Sequence, residues 1–453
     1  MSFSALDSAI LSPLFVSDSM RAVFDDRAKI AAMLRAEHAL AQAQADSGLV
    51  PAALALTLGA IDPGQIELAA MGRATALAGV PVIAFVAQVQ KLLPKDLEAH
   101  FHKGTTTQDI DDTALVLQIQ QAFDVLGPDL KATLSGLMAL ANRHSKTPCA
   151  GRTYGQHAAP ITFGAKVGVW GMGIADVASR CFEVRQRAAI TSLGGPVGIL
   201  TAMGNKAPQV QAGFARELGL ASFPASWHTI RTRMAETGFW LAELIGTLAK
   251  MATDVALLTS TEVGEVAEPY IAGRGGSSAM PHKRNPVSCT IILAAHAAAK
   301  GHVVTLLDAM SGAHERPVGL WHAEWHALPQ LFGLASGALR EAKALAQGLE
   351  VFPDRMLKNL DATNGLLFSD ALAGKLAPFM GRGKAHDLVE HAAMEVRRSG
   401  QHLRAFGLTA PEIAQPDLQA AWASAFDLNT AIMAGNGATE RAAAAIRAIL
   451  LQL

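Results

Sequence analysis

Cysteine, tyrosine and any excess of charge are scarce in this 453-residue sequence. Its three cysteines, Cys149, Cys181 and Cys289, are odd in number, far apart and without metal-ligand spacing. They read as reduced thiols of a cytoplasmic protein, not as a disulfide framework or a metal centre. Aromatic residues make up 6% of the chain against 50% hydrophobic, so the apolar content is mainly aliphatic, which favours close-packed helices. With 38 basic and 39 acidic side chains, nothing marks a nucleic-acid or anionic-membrane footprint. The stretch from Met1 to Asp7 has no basic region followed by an apolar block, which predicts no export leader. The most apolar long window, Phe239 to Ser260, is interrupted by Glu243, Lys250 and Asp254. It reads as a buried amphipathic helix and not as a membrane span. No fixed-period repeat and no low-complexity tract is present.

What is there suits an all-α fold of about three domains. Residues 1–112 hold moderate helices separated by turn signals, with Ser17-Asp18-Ser19 placed to cap a helix that starts near Met20. Residues 113–360 read as long Ala/Leu-rich helices, expected at 113–143, 160–190, 207–218, 229–266, 287–312 and 327–349. Helices of that length are most stable when bundled against one another, which implies an oligomer. Residues 361–453 open on turn residues and read as a small helical domain jointed at Pro411 and Pro416.

Two polar stretches carry the chemistry. Gly275-Gly276-Ser277-Ser278 supplies mobile backbone and free hydroxyls, and Lys283, Arg284 and Asn285 follow between Pro281 and Pro286. A flexible lid ending in fixed cationic and amide donors suits a carboxylate-bearing small molecule. The second stretch, His102 to Thr113, places three threonines ahead of a long apolar-periodic segment. Hydroxyls and amides at a helix start form a carboxylate nest, although simple capping explains the same residues.

With its residues Gly275 to Pro286, the lid resembles the pattern G-S-S-x-M-P-x-K-x-N-P of the fumarase/aspartase superfamily. His102, Gly104, Thr106, Asp109, Asp112 and Thr113 resemble its first common region, with Thr107 where Ser is usual. Gly151-Arg152-Thr153-Tyr154-Gly155-Gln156 resembles the second, in which related lyases carry an acid–base histidine at the position of Tyr154. A phenol with a pKa near about 10 is a poor base at neutral pH. His157 lies three residues on and reads as a packed histidine at a helix start. Ser192-Leu193-Gly194-Gly195-Pro196 reads as a structural turn, and Trp227 to Arg233 resembles a substrate-lining segment, with Thr232 replacing Asp. Glu262, Glu265 and Glu268 are expected on one helical face, with Glu265 as a possible polariser. His314-Glu315-Arg316 and Trp321-His322-Ala323-Glu324-Trp325 are similar to a segment of the muconate-cycloisomerase branch.

The resemblance implies a three-domain fold with boundaries near 112 and 360 and a lid at 271–286. It implies intramolecular addition of a carboxylate in a muconate, with a C–N lyase that releases fumarate as the alternative. Ser277 and Lys283 would be catalytic. His102, Thr106, Thr107, Arg152, Tyr154, Arg231, Asn285 and Met280 would bind a small polycarboxylate. No metal and no cofactor is implied, and a homotetramer with shared sites is expected.

Overall fold

The computed structural model describes residues 3–276, 279, 280 and 282–453. The fold is all-α, as the aliphatic composition predicts, and four long helices dominate it: Thr107–Arg143, Thr232–Leu258, Val287–Ala309 and Leu320–Gly348. The longest has 37 residues, about 55 Å at 1.5 Å per residue. Strands among the described residues form two small antiparallel pairs.

The chain divides into two compact units. One comprises Met1–Leu130, Val177–Gly246 and Ile291–Arg340, the other Lys131–Asp176, Thr247–Thr290 and Glu341–Leu453. In the first unit the Asp26–Asp46 helix starts at Asp25, whose carboxylate accepts Ala28 N–H at 2.7 Å. Its buried face, with Met33 and Leu40, joins Phe85 and Phe214 in one apolar cluster. Burying each such side chain contributes about 1.5–3 kcal/mol. The second unit has its own cluster around Leu372, Leu376, Ile413 and Trp422.

Several elements differ from the expected ranges for local reasons. The 107–143 helix starts six residues early because Asp109 satisfies the N–H of Thr106 at 3.0 Å from inside the first turn. The Leu320–Gly348 helix also starts early and runs through Pro329. The Thr232–Leu258 helix ends short of 266, so Glu262, Glu265 and Glu268 do not share a helical face. Glu268 instead accepts the first free amides of the next helix, Ser288 N–H at 3.0 Å and Cys289 N–H at 2.9 Å. The segment expected to begin a helix at 160 is the second strand of a hairpin, β1 (Pro148–Thr153) with β2 (Gln156–Thr162). His157 therefore sits on a strand, opposite Arg152. Among the described residues Val287–Ala309, and not the 239–260 window, is long and apolar enough to cross a bilayer by length and composition.

Candidate active site

In the first unit the threonine segment is organised by one carboxylate. Asp109 is fully buried. Its Oδ1 accepts Gly194 N–H and faces His228 Nε2, both at 2.7 Å. Its Oδ2 accepts Gly195 N–H at 2.8 Å, Thr106 N–H at 3.0 Å and the Thr105 hydroxyl at 3.1 Å. The 192–198 turn is thereby fastened to the start of the 107–143 helix. Gly195 adopts φ +70°, and a Cβ there would lie 3.1 Å from the carbonyl of Gly104.

The amide of Thr106 is thus already used, while its hydroxyl accepts from Arg316 Nη2 at 3.1 Å. Arg316 Nε donates to Gln108 Oε1 at 3.1 Å, so a half-buried guanidinium stands beside the threonines. The sequence placed Arg316 only in an aromatic, charged patch. Its nearness to Thr106, 210 positions away, has no local signature.

Arg231 is 1% exposed and held by two carboxylates. Its Nη1 and Nη2 donate to Asp112 at 2.8 and 3.0 Å, and its Nε and Nη2 donate to Glu324 at 2.8 and 2.5 Å. Trp321 Nε1 adds a hydrogen bond to Asp112 at 3.0 Å. Burial pushes the Glu324 carboxyl above its usual range, against the pull of Arg231. Two carboxylates thereby take four of the five N–H groups of Arg231. His102, by contrast, has no partner for Nε2 among the described residues, while Nδ1 meets Glu37 Oε1 at 2.5 Å.

In the second unit Arg152 makes a two-point ion pair with Glu265, Nη2 to Oε1 at 2.6 Å and Nη1 to Oε2 at 3.1 Å. Asn359 Nδ2 donates to the same carboxylate at 2.8 Å. Glu265, fully buried, thus anchors the hairpin through Arg152. Thr153-Tyr154-Gly155-Gln156 closes that hairpin with φ +50° at Tyr154 and +76° at Gly155. Positive φ at both central residues matches the right-handed twist of the strands but strains a non-glycine residue. The Tyr154 side chain is fully exposed.

Met280, Lys283 and Asn285 line a cavity of about 660 Å³ together with Thr259 and Ser260. The lid is closed at its base by Asn285 N–H to Gly275 O at 2.8 Å. Gly275, at φ +70°, permits this approach, because a Cβ would lie 2.5 Å from Asn285 O. Arg284 is held by Glu350 at 3.0 Å, whereas Lys283 is exposed with no ion pair among the described residues. Ser277 lies outside the described residues. The structure therefore groups His102, Thr106, Thr107 and Arg231 in the first unit, and Arg152, Tyr154, Met280, Lys283 and Asn285 in the second.

A family model described as Lyase matches residues 16–301, and the chain belongs to this lyase family, the fumarase/aspartase superfamily. Within it, the 3-carboxy-cis,cis-muconate cycloisomerase of Pseudomonas aeruginosa is 42% identical over 395 residues, 86% of each chain. The nitrosuccinate lyase of Streptomyces davaonensis is 39% identical over 422 residues, 90% of this chain and 89% of the relative. The crystal structure of the 3-carboxy-cis,cis-muconate lactonizing enzyme from Pseudomonas putida superposes with a TM-score of 0.90 at 37% identity, over 96% of this chain and 98% of that one.

Proposed function

We propose that this chain is a cycloisomerase that closes 3-carboxy-cis,cis-muconate to its muconolactone in the breakdown of protocatechuate-type aromatic acids. The likeness to relatives of that name over nearly the whole chain carries the reading. Tyr154, where resembling lyases have a histidine, favours it over C–N cleavage. One substrate carboxylate adds to the conjugated double bond. As the C–O bond forms, the π pair moves onto a second carboxylate, giving an aci-carboxylate, and a proton then reaches the adjacent carbon. The nucleophile is part of the substrate, so the protein supplies orientation and charge stabilisation.

In this reading Ser277 handles the carbon-bound proton. Lys283 and Asn285 hold one carboxylate with Met280 packed beside them. Thr106 and Thr107, backed by Arg316, hold another, and His102 meets the third. Arg152 and Arg231 position their surroundings without touching substrate. Tyr154, at a strained and fully exposed tip, is the residue one copy lends to another in a cytoplasmic homotetramer. The division into 1–112, 113–360 with a lid at 271–286, and 361–453 belongs to the same proposal. Light scattering tests the assembly against four times 47.4 kDa.

The deciding experiment mixes purified protein with 3-carboxy-cis,cis-muconate and follows loss of diene absorbance. Steady loss is the expected result. An unchanged spectrum, together with turnover of nitrosuccinate or adenylosuccinate, overturns the reading in favour of a C–N lyase. Ser277→Ala is expected to lower turnover by orders of magnitude with assembly intact, and near-normal turnover removes Ser277 from the mechanism.

A further inference from the structure

The Asp26–Asp46 helix sends two polar side chains, seven positions apart, from its buried face to the segment just ahead of the threonines. Gln44 Nε2 donates to the carbonyl of Lys103 at 2.7 Å, and Glu37 Oε1 meets His102 Nδ1 at 2.5 Å. The neutral Gln44 shows that tethering this segment requires no charge. Glu37 is nonetheless a carboxylate whose side chain is 1% exposed, and burying it carries a desolvation cost that a neutral tether avoids. His102 holds φ +55°, a conformation a histidine keeps only where its surroundings impose it. Its side chain remains 18% accessible, and Nε2 has no partner among the described residues.

We infer that Glu37 is a positioning residue that keeps His102 an imidazolium, with Nε2–H presented to a carboxylate of the bound polyanion. This rests on reading the site as one for a polycarboxylate. Burial opposes the charge on His102, but Glu37, with help from Asp109 on the 107–143 helix, outweighs it and holds the ring above its ordinary 6.5. The neighbouring Lys103 ammonium is turned to the carbonyl of Leu49 at 3.2 Å. Because the folded value is raised, the pair's contribution to stability is complete below 6.5 and is lost as pH rises through the folded value.

The test uses the full chain, propane-1,2,3-tricarboxylate as an inert polyanion, and NMR titration of the histidine rings. The His102 ring of the parent is expected to titrate above 6.5, and in Glu37→Gln to fall. Binding by the parent is expected to weaken as the ring deprotonates. Glu37→Gln should bind about tenfold more weakly at neutral pH and recover at acidic pH. His102→Asn should bind weakly throughout, without that pH dependence. An unshifted ring in Glu37→Gln, an unaltered pH profile in His102→Asn, or no binding by the parent overturns the inference. Failure of the cycloisomerase reading is distinct: the tricarboxylate profile stands while 3-carboxy-cis,cis-muconate is left unchanged.

Discussion

Lys283 was expected to be catalytic and Arg231 to bind substrate, and the structure gives these two cations opposite circumstances. Arg231 is sealed between two carboxylates that take four of its five N–H groups, whereas Lys283 stands exposed beside a cavity with no ion pair among the described residues. A buried cation with its charge compensated cannot be removed without stranding its acids, and an uncompensated one at a cavity is available to a ligand. Each sits next to residues that resemble a family motif, so motif membership alone does not separate the two roles. The number of acids that reach each cation does.

The comparison is tested hardest at Arg231. Arg231→Met leaves Asp112 and Glu324 facing each other without a cation, at a cost of about 3–5 kcal/mol in folding stability. Denaturant titration checks this, and adding Glu324→Gln is expected to restore part of the loss. A loss under about 1 kcal/mol, within the range of an exposed ion pair, would place Arg231 among the ligand contacts after all. Lys283→Met is expected to do the reverse. Turnover should fall about 100-fold or more, as for removal of one charge-stabilising donor, while the unfolding midpoint stays put. A midpoint that drops together with turnover would mean that Lys283 holds the lid and not the substrate.

The helical class and the long helices were legible because aliphatic periodicity acts locally and is present in the chain itself. The non-helical course of the described residues of 275–286 was legible for a similar reason, since Gly275 and Pro286 impose backbone constraints that neighbouring residues cannot undo. The hairpin at Pro148–Thr162 was not, because its Gly, Ala and Pro residues carry little strand preference and the pairing is settled by cross-strand partners. The partners that define the site were equally hidden. Glu37 to His102 spans 65 positions, Arg152 to Glu265 spans 113, and Thr106 to Arg316 spans 210. Such contacts follow from how helices pack, and no local pattern of residues announces them. Glu265 illustrates the consequence: read from the sequence as a possible polariser on a helical face, it belongs to a buried pair with Arg152 and not to a helical charge stripe.

Tyr154 offers the finest test of the contrast between residues that hold the fold and residues that serve a ligand. With Gly155 it forms a two-residue turn at positive φ, where asparagine followed by glycine is the favoured pair. Tyr154→Asn is therefore expected to stabilise the hairpin by about 1 kcal/mol through relief of left-handed strain. If the strain is retained because the ring serves a site in a neighbouring copy, the same variant turns over 3-carboxy-cis,cis-muconate more slowly while unfolding at higher denaturant. Stability and activity then move in opposite directions. A variant both more stable and as active as the parent would show that the exposed ring is an incidental feature of the turn. Anion binding would then rest on the cations alone.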